Sequence, residues 1–193
     1  MKRRVLEVNL GLLNQSDILL VVVDVQERFR NKVFQFDLVV KNVRKLVEGF
    51  KLLGIPIVVT EQYPQGLGST VPELKESLGV FTPIEKTCFS CFDSENFVKQ
   101  IEKSGRKTIV LAGIESHVCI LRTALDALSK GYEVHIALDC VSSMQESDFK
   151  IAVERFKQAG VFLASSEMLL FQLLDNSKDA KFRSLSEIVK KYA

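Results

Sequence analysis

The sequence predicts a single three-layer αβα domain over residues 1–193, with a mostly parallel, doubly wound sheet of about six strands. Five short runs rich in aliphatic and β-branched residues, Ile18–Val23, Ile55–Thr60, Thr108–Ala112, Glu133–Leu138 and Val161–Ala164, have the length of strands. Stretches of helical spacing separate them, which is the alternation of a βα fold. The runs ILLVVV and IPIVVT do not alternate apolar with polar residues, as expected of strands covered by helices on both faces.

The first strand closes on Asp24. The helix after it is read from Leu38, Val39, Val43, Leu46, Val47, Phe50 and Leu53, whose three- and four-residue steps form one apolar face. Gly54, Gly131 and Gly160 each stand between a helical stretch and the next strand, where a helix end commonly takes positive φ. The second strand leads into an irregular stretch, Glu61–Thr82, containing Tyr63, Pro64, Gly66, Gly68 and Pro72, and then a short sixth strand near Pro83–Glu85. Ser184–Tyr192 reads as a short amphipathic helix. In the doubly wound order 3-2-1-4-5-6, the strand ending at Asp24 neighbours the strand leading to Cys119, at the switch point where such sheets keep their ligands.

Composition narrows the function. With 47% hydrophobic residues in 193, one core can form without staples. The 26 basic and 24 acidic residues are interspersed, so no basic stripe recruits nucleic acid. The four cysteines are expected to be reduced thiols. The start, MKRRVLEVNLGLL, is basic, but Glu7 and Asn9 interrupt the apolar segment that a signal peptide needs. The longest fully apolar run, Ile18–Val23, falls far short of a membrane span. A soluble cytoplasmic protein acting on a small molecule is expected.

Two residues invite a chemical reading, each with a plainer alternative. Asp24 at the end of a strand is either a carboxylate tuned by partial burial or a turn or capping residue. Cys119, in LAGIESHVCILRTALDAL, lies where a helix begins. The helix dipole there favours a thiolate, and unpaired N–H groups could hold an oxyanion; burial in the core is the alternative. Lys86, taken by itself, is a solvated loop lysine.

Four segments carry a resemblance: DVQERF (24–29), TEQYPQGLGSTVPEL (60–74), EKTCFS (85–90) and GIESHVCILRTALDALSKGYEV (113–134). In this order they resemble the isochorismatase-like cysteine hydrolases, most of all the isochorismatase-domain-containing branch, from about residue 17 to about residue 174. The resemblance implies a triad of Asp24, Lys86 and Cys119, and a cis peptide between Ile114 and Glu115 that aims the amides of Glu115 and Cys119 into an oxyanion hole. It implies acyl transfer through a thioester, with Asp24 as proton shuttle and Lys86 as the positive charge. By resemblance alone, Gln26, Phe29, Glu61, Gln62, Tyr63, Phe89 and Ser116 are the substrate-binding residues, suited to a small polar or weakly aromatic amide. Relatives assemble as closed oligomers, so a homo-oligomer is expected.

The sequence departs from parts of the family. No histidine occurs in TEQYPQGLGST, and the only two in the chain are His117 and His135, so no metal or other cofactor is expected. Without that metal, nicotinamide is a poor candidate substrate. Cys119 itself argues against isochorismate, whose hydrolases lack the cysteine. Cys88 and Cys91 form one C-x-x-C, too little for a zinc site and misplaced for a thioredoxin-like motif. Cys140 ends the fifth strand as a packing residue, and His135 packs or hydrogen-bonds within it. A thiol redox sensor and a non-catalytic interaction protein on the same scaffold are the alternatives, and a need for the Asp24 carboxylate separates the hydrolase from the sensor.

Overall fold

The computed structural model describes residues 9–174 and 176–193; residues 1–8, on which the expectation about a leader rests, lie outside them. The strands are β1 (Ile18–Val23), β2 (Ile57–Gln62), β3 (Ile84–Lys86), β4 (Thr108–Ile114), β5 (Glu133–Ser142) and β6 (Phe162–Ala164). All pair in parallel, in the order β3-β2-β1-β4-β5-β6. The helices are α1 (Phe36–Leu53), α2 (Pro64–Leu67), α3 (Pro72–Leu78), α4 (Glu95–Ser104), α5 (Leu121–Ser129), α6 (Glu146–Ala159), α7 (Ser166–Gln172) and α8 (Phe182–Lys191).

Successive residues of β1 face opposite layers, which is why a run with no polar residue is stable there. Ile18, Leu20 and Val22 enter the core beneath α1, α3, α7 and α8. Leu19, Val21 and Val23 enter the core beneath α4, α5 and α6. The helical face read from sequence is buried in α1 except at Leu38, which is 46% exposed in the first turn and borders an open apolar pocket.

Several boundaries move for identifiable reasons. Gly54 takes φ 74 and the Ile55 N–H returns to the Phe50 carbonyl, so Ile55 closes α1 and β2 begins only after Pro56. β2 then runs on to Gln62. β3 ends at Lys86, placing this lysine on the sheet and not in a loop. The stretch expected to be irregular contains α2 and α3, each opened by a proline at its first turn. β5 continues to Ser142 across a register shift between Leu111 and Gly113, so Cys140 lies inside the strand. The last helix begins two residues earlier than read and ends at Lys191.

One glycine is indispensable to this register. Gly113 takes φ 116, and a Cβ there would lie 2.0 Å from the Val23 carbonyl oxygen. β1 and β4 approach this closely at their carboxyl ends, where the site forms.

Candidate active site

Asp24 follows the last residue of β1 and adopts φ 55, a left-handed conformation that aspartate tolerates better than most residues. Its N–H donates to the Thr60 carbonyl (3.1 Å), which turns the carboxylate across the end of β2. There Oδ1 accepts from the Thr60 hydroxyl and Oδ2 from Lys86 Nζ, both at 2.7 Å. Lys86 Nζ also donates to Gln62 Oε1 (2.7 Å) and the Cys88 carbonyl (3.2 Å), and lies 3.8 Å from Cys119 Sγ. The ends of β1 and β3 and the turn after β4 therefore bring Asp24, Lys86 and Cys119 together. All three are buried, at 1%, 5% and 7% exposure.

Cys119 sits in a π-helical turn, Ser116–Ile120, that runs directly into α5. Such turns are rare and concentrate at functional sites. The Ile114–Glu115 peptide before it is cis. The turn is braced from the segment after β5: Glu115 Oε2 accepts from the Met144 N–H (2.8 Å), and His117 Nδ1 lies 2.9 Å from Ser143 Oγ. Ser116 is fully buried, and its hydroxyl has no hydrogen-bond partner among the described residues.

The expectation of a depressed thiol pKa is overturned. Burial, and next the Asp24 carboxylate, push Cys119 well above the ordinary 9.0, and Lys86 only partly opposes them. A helix terminus cannot compensate for removing a thiolate from water beside a carboxylate. For Lys86, burial works against the ammonium, but Asp24, by its charge and by the hydrogen bond it accepts, is the chief group that outweighs it, so the lysine pKa is raised above 10.5. Both shifts favour the protonated forms, an ammonium at Lys86 and a neutral thiol at Cys119. Cys91, a fully buried neighbour missed as a site residue, is pushed up to about 12 by burial.

The residues expected to bind substrate divide by their hydrogen bonds. Gln26 is fully buried; its Nε2 donates to the Gln62 carbonyl (3.0 Å) and its Oε1 accepts from the Gln62 N–H (2.8 Å). Glu61 Oε1 accepts from both the N–H and the hydroxyl of Thr70 at 2.7 Å. With a further bond from Gln26 Nε2 to the Gly68 carbonyl, these two side chains fasten the loop before α3 to the sheet. Phe29 packs against the core beneath α1. Gln62 holds Lys86, and Thr60, which sequence reading overlooked, holds Asp24. Tyr63 and Phe89 expose 54% and 61% of their surfaces on the segments flanking Lys86. A pocket of about 280 Å³ beside them is lined by Tyr63, Glu85, Lys86, Cys88 and Asp93. A larger one, about 450 Å³, lies between Leu38, Phe149 and Met168 and is not lined by the cluster.

Elsewhere, His135 Nε2 lies 2.8 Å from Glu133 Oε1 and its ring stacks on Phe162. The four cysteines are free thiols. Among the described residues no group of three or more histidine, cysteine, aspartate or glutamate side chains is arranged to hold a metal, and no helix is long and apolar enough to cross a membrane.

Fold and site together define a doubly wound α/β protein with a buried Asp–Lys–Cys cluster at the carboxyl edge of its sheet. Residues 18–168 match the family described as Isochorismatase domain. The mouse isochorismatase domain-containing protein 2A is 38% identical over 183 residues, covering 94% of this chain and 87% of its own. Among solved structures, one titled MAR1 ribonuclease from Caenorhabditis elegans superposes with a TM-score of 0.86 at 37% identity, covering 92% of each chain. The YcaC gene product of Escherichia coli, described as an octameric hydrolase of unknown specificity, superposes with a TM-score of 0.85 at 27% identity, covering 93% of this chain and 92% of its own. This chain belongs to the isochorismatase family, a family of hydrolases.

Proposed function

We propose that this protein is a cysteine hydrolase that cleaves a non-peptide C–N bond of a small amide through a thioester on Cys119. The observation that carries the reading is the convergence of Lys86 Nζ on Asp24 Oδ2 at 2.7 Å and on Cys119 Sγ at 3.8 Å. In a buried site this cluster can move a proton without changing its net charge. When Asp24 takes the thiol proton, a carboxylate–ammonium pair becomes a thiolate–ammonium pair. Releasing the same proton to water would leave two anions beside one cation, so the thiol stays protonated until substrate arrives.

The thiolate attacks the amide carbon, forming the S–C bond, and the N–H groups of Glu115 and Cys119 receive the oxyanion. As the C–N bond breaks, Asp24 returns the proton to the leaving amine. Water, deprotonated by Asp24, then attacks the thioester and releases the acid and the thiol. The unpartnered Ser116 hydroxyl suits a contact with substrate, and Tyr63 and Phe89 suit the mouth. We place the protein in the cytoplasm, where a catalytic thiol stays reduced, and as a homo-oligomer, in keeping with the octameric YcaC neighbour.

The burial and raised pKa of Cys119 speak against a redox sensor, which works through an exposed, low-pKa thiol. The name of the Caenorhabditis elegans neighbour raises a second activity, cleavage of RNA. Glu85 and Asp93 beside Lys86 make the adjoining pocket poorly suited to a polyanion. The test is a screen of small primary and secondary amides for amine release, with acid-quenched intact-mass measurement and an RNA arm. Turnover accompanied by an acyl adduct mapped to Cys119, and abolished in Cys119→Ala, is expected. Amide turnover that survives Cys119→Ala, or RNA cleavage that depends on Cys119, would overturn the proposal.

A further inference from the structure

Lys86 has three N–H bonds and four acceptors around it. Asp24 Oδ2 and Gln62 Oε1 each lie at 2.7 Å, the Cys88 carbonyl at 3.2 Å and Cys119 Sγ at 3.8 Å. The three oxygens are the closer partners, so in the resting site the sulfur is left without a close donor from the ammonium. Gln62 cannot turn away freely, because its Nε2 donates to the Thr87 carbonyl at 2.8 Å, which fixes Oε1 toward Lys86. Its own backbone N–H and carbonyl are clamped by the buried Gln26 amide. A continuous strap therefore runs from Gln26 through Gln62 to the lysine.

We propose that Gln62 is a positioning residue that competes with the Cys119 sulfur for the Lys86 ammonium and so sets how readily the thiolate forms. The inference rests on the cysteine hydrolase reading but concerns the site before any substrate binds. While Asp24 Oδ2 and Gln62 Oε1 each hold an N–H bond at 2.7 Å, the sulfur can draw only on the one that the Cys88 carbonyl accepts at 3.2 Å. Removing the Gln62 acceptor frees a second N–H bond for it. The titratable groups acting on Cys119 are Asp24 after β1, Lys86 on β3 and Cys91 in the 3-10 turn Cys91–Asp93. Thr60 and Gln62, the β2 side chains bonded to Asp24 and Lys86, do not titrate, so a charge introduced at position 62 has a readable effect.

The experiment measures the rate of Cys119 alkylation by iodoacetamide in the substrate-free protein from about pH 6 to about pH 10, with the modified residue located by mass spectrometry. Gln62→Glu places a second carboxylate on the ammonium and is expected to slow the reaction about tenfold at each pH, one unit of thiol pKa. Gln62→Met keeps the length of the side chain but removes the acceptor; the freed N–H turns to sulfur, and alkylation is expected to quicken. Opposite effects of the two variants support the proposal. Changes in the same direction, or none in either, overturn it. Should Gln62→Glu fail to fold, the Met variant decides alone: a faster reaction supports the proposal, and an unchanged or slower one overturns it. Lys86→Met is measured alongside. If it slows alkylation while the Gln62 variants do nothing, only the role of Gln62 falls; if Cys119 is indifferent to Lys86 as well, the triad reading itself falls.

Discussion

Asp24 does two things to Cys119 that pull in opposite directions. Its charge disfavours a free thiolate, and in the proposed mechanism its lone pair is the acceptor for the thiol proton during attack. Asp24→Asn separates the two effects. Alkylation of the resting thiol is expected to rise about tenfold, because the opposing charge is gone. Amide turnover is expected to fall by a factor of about 100 or more, because no base remains. A mutant with slower alkylation and unchanged turnover would refute both assignments. Gly113 makes a different demand. An alanine Cβ there would overlap the Val23 carbonyl at 2.0 Å, and this is backbone that cannot rotate aside. Gly113→Ala is expected to cost at least about 3 kcal/mol in urea unfolding, from steric strain and an unfavourable φ together.

At the scale of elements, strands were legible wherever an apolar run was continuous, as in Ile18–Val23, because burial on both faces leaves that signature in one short window. The partners of Gln26 and Glu61 were not legible. Gln26 meets a residue 36 positions away and Glu61 one in a loop, and nothing in TEQY reveals which side of the strand will be clamped. Lys86 was singled out only by resemblance; three strand residues beside a proline give almost no periodicity. The last helix shows how an element recognised by amphipathicity is held by polar groups that periodicity does not reveal. α8 buries Leu185 beneath the sheet, while Glu48 of α1 accepts from Tyr192 (2.5 Å), Lys191 and Ser77. Burial alone would raise the Glu48 pKa, but these hydrogen bonds outweigh it and hold the carboxyl below 4.5. A depressed carboxyl stabilises the fold above its unfolded pKa and loses that contribution as pH falls through its folded value. Tyr192→Phe is thus expected to destabilise by about 1 kcal/mol at neutral pH, discounted for partial exposure, with the difference shrinking below about pH 4.5. Urea titrations at neutral and acid pH check this; a deficit independent of pH would show that the hydroxyl acts through packing alone.

Across the whole molecule, the sheet is the one structure that both cores share. Each residue of β1 belongs to one layer and its neighbour to the other, so neither core can open without stripping a face from the same strands. Asp24 sits at the end of that shared strand, so losing either layer would displace it from Lys86 and Cys119. Phe50, on α1, and Phe156, on α6, are both fully buried and lie in opposite cores. Phe50→Ala and Phe156→Ala should each cost about 3–5 kcal/mol through lost burial and the cavity left behind. If the sheet couples the layers, each substitution moves one common transition and splits none. The chain contains no tryptophan and three tyrosines, which makes the coupling measurable. Tyr132 packs on Phe92 in one layer, and Tyr192 is bonded to Glu48 in the other. Variants retaining only one of these tyrosines report each layer by fluorescence, and far-UV circular dichroism reports the whole. Coincident urea midpoints for all three signals in both alanine variants are expected of one cooperative unit. A Tyr192 transition that shifts in Phe50→Ala while the Tyr132 transition stays in place would show that the layers unfold separately, and the sheet would then be a shared surface without being a mechanical link.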